Sequence, residues 1–124
     1  MRFSHTSVLL YECIDALNIR NGYTYVDCTA GGGGHSLEIA KRMGPDSRLI
    51  CFDRDKNAIA AATERLRDYL DKVVFINDNF SSLGEVLDRL DVKNLGGVLA
   101  DLGCSSHQFD EPERGFSYMH DAPI

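Results

Sequence analysis

No stretch of this 124-residue chain approaches the roughly 18 consecutive apolar residues that a membrane span needs, so a transmembrane helix is not its organising element. The opening residues, Met1-Arg2-Phe3-Ser4-His5-Thr6, lack a basic segment leading into an apolar run. No secretory signal is therefore expected, and the expected location is cytoplasmic. Internal repeats, low-complexity tracts and linkers long enough to separate domains are also missing, which makes one domain the ceiling. Cysteine is scarce, and Cys13, Cys28, Cys51 and Cys104 form no closely spaced pair of the kind structural zinc requires. No metal is expected, and the thiols are expected to be reduced and mostly buried. Positive charge is in deficit too: 13 Lys and Arg against 19 Asp and Glu give a formal net charge of −6. Nucleic-acid binders grip phosphates with cations, so any RNA-binding surface must be local or lie elsewhere.

What is present is a globular composition, 44% hydrophobic and 26% charged, arranged as alternating strand and helix signals. Leu10, Cys13, Ile14 and Leu17 recur at helical spacing after Thr6 and Ser7, and residues 18–22 break that helix. Tyr23 to Cys28 reads as a strand, followed by Thr29-Ala30-Gly31-Gly32-Gly33-Gly34 and a helix from His35 to Met43. Gly44-Pro45-Asp46 is a turn, and Arg48 to Asp53 reads as a second strand with an acidic end. Asp55 is suited to cap a long helix whose buried face carries Ala58, Ile59, Ala62, Leu66, Tyr69 and Leu70. Val73 to Ile76 is a third strand. Ser81 can cap a helix carrying Leu83, Val86, Leu87 and Leu90, and Gly96 to Leu102 contains a fourth apolar strand ending at Asp101. From Gly103 to Ile124 the pattern is polar and irregular. Such alternation implies an α/β fold, a parallel sheet covered by helices on both faces, with ligands bound at the carboxyl ends of the strands.

The residues at those ends suit a nucleotide-like cofactor. Glycines allow close backbone approach, and the helix behind them offers free amides. A dinucleotide fingerprint Gly-x-Gly-x-x-Gly places Ser36 or Leu37 in its third glycine position, which disfavours a nicotinamide-dependent oxidoreductase. A strand ending near Asp27 is better suited to a cofactor with an ammonium group and no pyrophosphate, as in S-adenosylmethionine. Asp53, about twenty residues past the glycines, can accept hydrogen bonds from ribose hydroxyls, or can serve as a turn residue beside Asp55. Phe80 can lie against an adenine or pack onto the helix behind it. Asp101 can accept N–H bonds from an exocyclic amine, hold the cofactor, or cap a turn, and spacing does not separate these roles. His35, Cys104 and His107 suggest no nucleophile–base arrangement by spacing.

The chain resembles the MraW/RsmH family of bacterial ribosomal RNA small-subunit cytosine-N4 methyltransferases. The resemblance runs from His5-Thr6-Ser7-Val8-Leu9-Leu10 through Asp27-Cys28-Thr29-Ala30-Gly31-Gly32-Gly33-Gly34-His35-Ser36, Phe52-Asp53-Arg54-Asp55 and Asn79-Phe80-Ser81. Its specific segments are Asp101-Leu102-Gly103-Cys104-Ser105-Ser106-His107-Gln108-Phe109-Asp110 and Pro112-Glu113-Arg114-Gly115-Phe116-Ser117. The resemblance implies a Rossmann-like fold with S-adenosylmethionine held at Gly33, Gly34, His35, Asp53, Phe80, Asp101 and Gln108. It also implies methylation of a cytidine N4 in small-subunit ribosomal RNA, with the RNA or the small subunit as partner. Amino methyltransferases acting on DNA often carry Pro-Pro-aromatic after the fourth-strand acid; here Leu102-Gly103-Cys104 follows Asp101, and the catalytic roles stay open.

Members of that family are more than twice this length, so residues 1–124 are expected to be the N-terminal part of the methyltransferase domain, ending after the fourth strand. The helical substrate domain and remaining strands would then lie elsewhere. An alternative function is a non-catalytic S-adenosylmethionine-binding module. With its far side unpaired, the fourth strand would leave an apolar edge, and self-association of the isolated chain is expected.

Overall fold

The computed structural model describes residues 12–28, 34–100 and 103–106, with the side chains of Phe80 and of residues 103–106 excepted. Within these, helix α1 covers residues 12–17. It is followed by β1 (Thr24–Asp27), α2 (Gly34–Arg42), β2 (Arg48–Phe52), α3 (Lys56–Arg65), a 3₁₀ turn (Arg67–Lys72) and β3 (Val73–Ile76). A second 3₁₀ turn (Phe80–Ser82), α4 (Leu83–Arg89), β4 (Leu95–Ala100) and β5 (Gly103–Ser106) complete the described elements. The sheet order is β3-β2-β1-β4-β5; β1 to β4 are mutually parallel where they pair, and β5 runs antiparallel to β4.

Successive side chains of a strand point to opposite faces, and the buried residues sort accordingly. Tyr25, Leu49, Cys51, Val73 and Leu99 face one side, where Ile14 of α1, Ile39, Ala40 and Met43 at α2, and Ala62 and Leu66 at α3 cover them. Val26, Ile50, Phe52 and Val98 face the other, under Leu83, Val86 and Leu87 of α4. Each fully buried Leu, Ile or Val stabilises the fold by about 1.5–3 kcal/mol relative to exposure. Both faces are therefore helix-covered, as the unbroken apolar strands implied.

The amino edge of the sheet is tied by side chains bonding to backbone. Asn18 ends α1 with φ 52°, a left-handed conformation asparagine tolerates. Buried Ser47 Oγ accepts from Gly22 N at 3.1 Å and donates to Arg20 O at 3.1 Å. Asn21 Oδ1 accepts from Asp46 N at 2.7 Å, in space that Gly44 leaves open by having no Cβ.

Four expectations are corrected. The helix capped by Asp55 stops at Arg65, and the 3₁₀ turn that follows advances about 120° per residue in place of 100°, which turns Leu70 outward to 43% exposure. Ser81 does not cap α4: Asn79 Oδ1 accepts from Ser81 N at 2.8 Å, so the asparagine starts the 3₁₀ turn before it. The segment from Gly103 is not irregular throughout, because Gly103–Ser106 pairs with β4; β4 is therefore flanked on both sides, and the described sheet's edges are β3 and β5. Cys28 and Cys51 form no disulfide, as expected, but Cys13 is disulfide-bonded. No other cysteine lies within fourteen residues of Cys13, so sequence spacing carries no sign of that link.

Candidate functional site at the carboxyl edge of the sheet

The chain lays β1, β2 and β3 outward, with α2 and α3 on one face, and then returns past β1 to form β4 with α4 on the opposite face. The crossover leaving β1 runs over one face to β2, whereas the crossover entering β4 runs over the opposite face, so β1 and β4 flank the point where the winding reverses, the place where open α/β sheets bind ligands. Cys28 N donates to Leu99 O at 2.7 Å, carrying the pairing one residue beyond β1.

On the β1 side the first turn of α2 carries Gly34 and His35. Gly34 is exposed, and among the described residues a Cβ built on it would meet only Arg65 Nη1, at 3.9 Å, an ordinary contact. The described fold thus supplies neither a positive φ nor a clash to demand glycine there, whereas the close approach of a ligand would. His35 is half-buried beside it. Asp27, which ends β1, is 2% exposed, and its Oδ2 accepts from Ser36 Oγ at 2.5 Å. Its carboxylate is buried beneath α2 and does not stand open at the strand end. Ser36 Oγ also lies 3.2 Å from Cys51 Sγ, and burial, with the Asp27 charge second, pushes the Cys51 thiol up to about 12. In dinucleotide-binding folds a glycine here permits close helix–strand packing; Ser36 instead bonds to the strand.

On the β2 side Asp53 is half-buried. Its amide donates to Ile76 O at 3.0 Å, extending the β2–β3 ladder, and its Oδ1 accepts from Asp55 N at 2.9 Å. Asp55, not Asp53, caps α3, accepting from Asn57 N at 2.9 Å. The side-chain amide of Asn77, just past β3, donates to Asp53 O at 3.0 Å and Arg54 O at 3.1 Å. The acid that sequence reading selected is therefore held in a turn built by its neighbours.

The structure places Gly34, His35, Asp53 and the backbone of Phe80 just past the carboxyl ends of the parallel strands β1, β2 and β3. Gly33, Asp101 and Gln108 lie outside the described residues, as does the side chain of Phe80. Sequence reasoning missed Asn77 and Ser36 as contributors. Ser36 carried a signal: it stands three and four residues before buried Ile39 and Ala40, a polar residue on an apolar stripe.

The sequence profile described as the MraW methylase family matches residues 2–124. Ribosomal RNA small subunit methyltransferase H of Finegoldia magna is 53% identical over 124 residues, covering all of this chain and 39% of the relative. The chain spans about 40% of the length of the curated relatives it matches. Among solved structures, a Clostridium thermocellum protein assigned as an rRNA methylase superposes with a TM-score of 0.58 at 30% identity, over 62% of this chain and 44% of that one. A SAM-dependent O-methyltransferase from Thermotoga maritima matches in fold, with a TM-score of 0.54 at 15% identity over 59% of this chain and 28% of that one. On the match of that family over residues 2–124, the chain belongs to the MraW methylase family.

Proposed function

We propose that the chain holds S-adenosylmethionine at the carboxyl edge of its sheet and that the complete protein transfers the methyl group to small-subunit ribosomal RNA, at the N4 amino group of a cytidine. The observation that carries the cofactor reading is the pairing of Gly34, a glycine the described fold does not require, with Asp53, a carboxylate held one strand away. The donor set fits the group: Gly33, Gly34 and His35 would lie against it, Asp53 would accept from its ribose hydroxyls, and Phe80, Asp101 and Gln108 would complete the site. Bound there, S-adenosylmethionine supplies an electrophilic sulfonium methyl. The protein's own contribution is to align donor and acceptor, which supplies much of the acceleration in such transfers. An acceptor for the amine's N–H bonds would help to localise a lone pair otherwise delocalised into the cytosine ring, and Asp101 has the right chemistry.

Family membership and the name of the Finegoldia magna relative support ribosomal RNA as the substrate class. Among the described residues no helix is long and apolar enough to cross a membrane, and a cytoplasmic site of action goes with this reading. Self-association of the isolated chain belongs to the same proposal, although β4 is flanked on both sides and the described sheet ends at β3 and β5; a monomer by light scattering across micromolar concentrations would exclude it.

Calorimetric titration with S-adenosylhomocysteine and with NAD tests the cofactor class, and heat with the first alone is expected. Methyl transfer by the complete protein to small ribosomal subunits, followed by nucleoside digestion, tests the reaction. A methyl group recovered on any atom other than cytidine N4 would overturn the finer assignment, and no transfer would overturn the enzyme reading.

A further inference from the structure

The hydroxyl of Ser36 bridges two strands from beneath α2, donating to Asp27 at the end of β1 and touching Cys51 of β2. Asp27, Ser36 and Cys51 are 2%, 4% and 5% exposed, so the group is closed off from bulk water. Since the Cys51 thiol keeps its proton, the donors run in one direction: Cys51 S–H to Ser36 Oγ, and Ser36 O–H to the Asp27 carboxylate.

Packing alone does not explain this group. Ile39 and Ala40 on the same face of α2 already supply apolar contact with the sheet, and a buried carboxylate carries a desolvation cost that an apolar pair of similar volume would avoid. What a directed hydrogen bond adds is a fixed position. Asp27 is the last residue of β1 and Ser36 the third of α2, so their bond joins the two flanks of the glycine-rich connection.

We propose that Asp27 and Ser36 are a positioning pair for the cofactor site, fixing the first turn of α2, with Gly34 and His35, against the end of β1. Buried at 2% and 4% exposure, the two side chains act through that turn. The amides of that turn are thereby set in place before the cofactor arrives, and ordering them costs nothing on binding. This inference rests on the S-adenosylmethionine reading above.

The test uses the complete protein, with S-adenosylhomocysteine as calorimetric probe and steady-state methyl transfer as second readout. Ser36→Ala is expected to weaken S-adenosylhomocysteine about tenfold, as for loss of a hydrogen bond to a charged group. KM for S-adenosylmethionine should rise by a similar factor while kcat changes less than twofold, the pattern of binding lost equally from ground and transition states. Asp27→Asn keeps an acceptor oxygen but not the charge; it should weaken binding about threefold, and it carries the test if Ser36→Ala does not fold. A lower melting temperature with affinity and KM both within twofold of the unmodified protein would show a structural role only and overturn the inference. Failure of the unmodified protein to bind S-adenosylhomocysteine would overturn the cofactor reading and this inference with it, and would be seen before any substitution.

Discussion

The side-chain amide of Asn77 donates to two successive carbonyl oxygens, those of Asp53 at 3.0 Å and Arg54 at 3.1 Å. One residue at the end of β3 thereby sets the course of the turn at the end of β2. The acid in that turn gains its place from a strand to which it does not belong.

Replacing Asn77 with alanine leaves the Asp53 side chain intact and removes this anchor. Each lost bond is worth about 0.5–1.5 kcal/mol where it is shielded and less where water replaces it, as at exposed Asn77. The expected result is a threefold to tenfold weaker affinity for S-adenosylhomocysteine by calorimetry. Unchanged affinity would mean that the turn holds its shape without the anchor.

Asp53→Ala removes the carboxylate itself. Its effect on S-adenosylhomocysteine affinity should exceed that of Asn77→Ala, by about ten- to a hundredfold in all, the range for a charge-assisted pair. Because Asp53 is half-buried and Asp55 is the cap of α3, the melting temperature should move little. Equal affinities for the variant and the unmodified protein would remove Asp53 from the site.

The sheet and its helices were legible because the strands are continuous apolar runs and the helices repeat at the spacing of one covered face. The place of Asp53 was legible for a related reason, since the apolar run of β2 stops just before it and so puts the acid at the strand's carboxyl end. Long-range polar contacts were not. Nothing near Asn77 in sequence points to Asp53, 24 residues away, and Ser36 shows its partner only once α2 is laid over β1. The stop of α3 at Arg65 was hidden because Leu66 and Tyr69 fit an α-helical face as well as the 3₁₀ turn that replaces it.

Gly96 gives a prediction about the frame. The β1–β4 register shifts between Thr24 and Tyr25, which pair with Leu95 and Gly97, so Gly96 is the extra residue of a bulge. A Cβ there would lie 2.6 Å from the Tyr25 ring and 2.9 Å from Tyr23 Cβ. Tyr25 is buried, and its hydroxyl accepts from Arg20 N at 2.9 Å, so the ring cannot move aside without losing that bond. Gly96→Ala should destabilise the fold by about 1–3 kcal/mol. The measurement is the urea midpoint at constant m; a midpoint equal to that of the unmodified protein would show that the bulge accommodates a methyl group.

Alkaline pH should unfold the protein through Cys51. Its thiol is raised from 9.0 to about 12, chiefly by burial, with the Asp27 charge second. Below pH 9 the group is protonated in folded and unfolded chains alike, and the stability from burying it neutral is fully present. Between pH 9 and about 12 the unfolded chain releases the proton while the folded chain keeps it, so stability falls as pH rises, by up to about 1.4 kcal/mol per unit. The Tyr25 phenol, also raised by burial from 10.0, adds to the loss at higher pH in the same direction. Urea midpoints taken from pH 8 to 10.5 should decline steeply in the unmodified protein. Cys51→Ala should flatten the decline between pH 9 and 10, where Tyr25 contributes little, whatever its effect at neutral pH. Parallel declines for the two proteins would show that another group carries the alkaline transition.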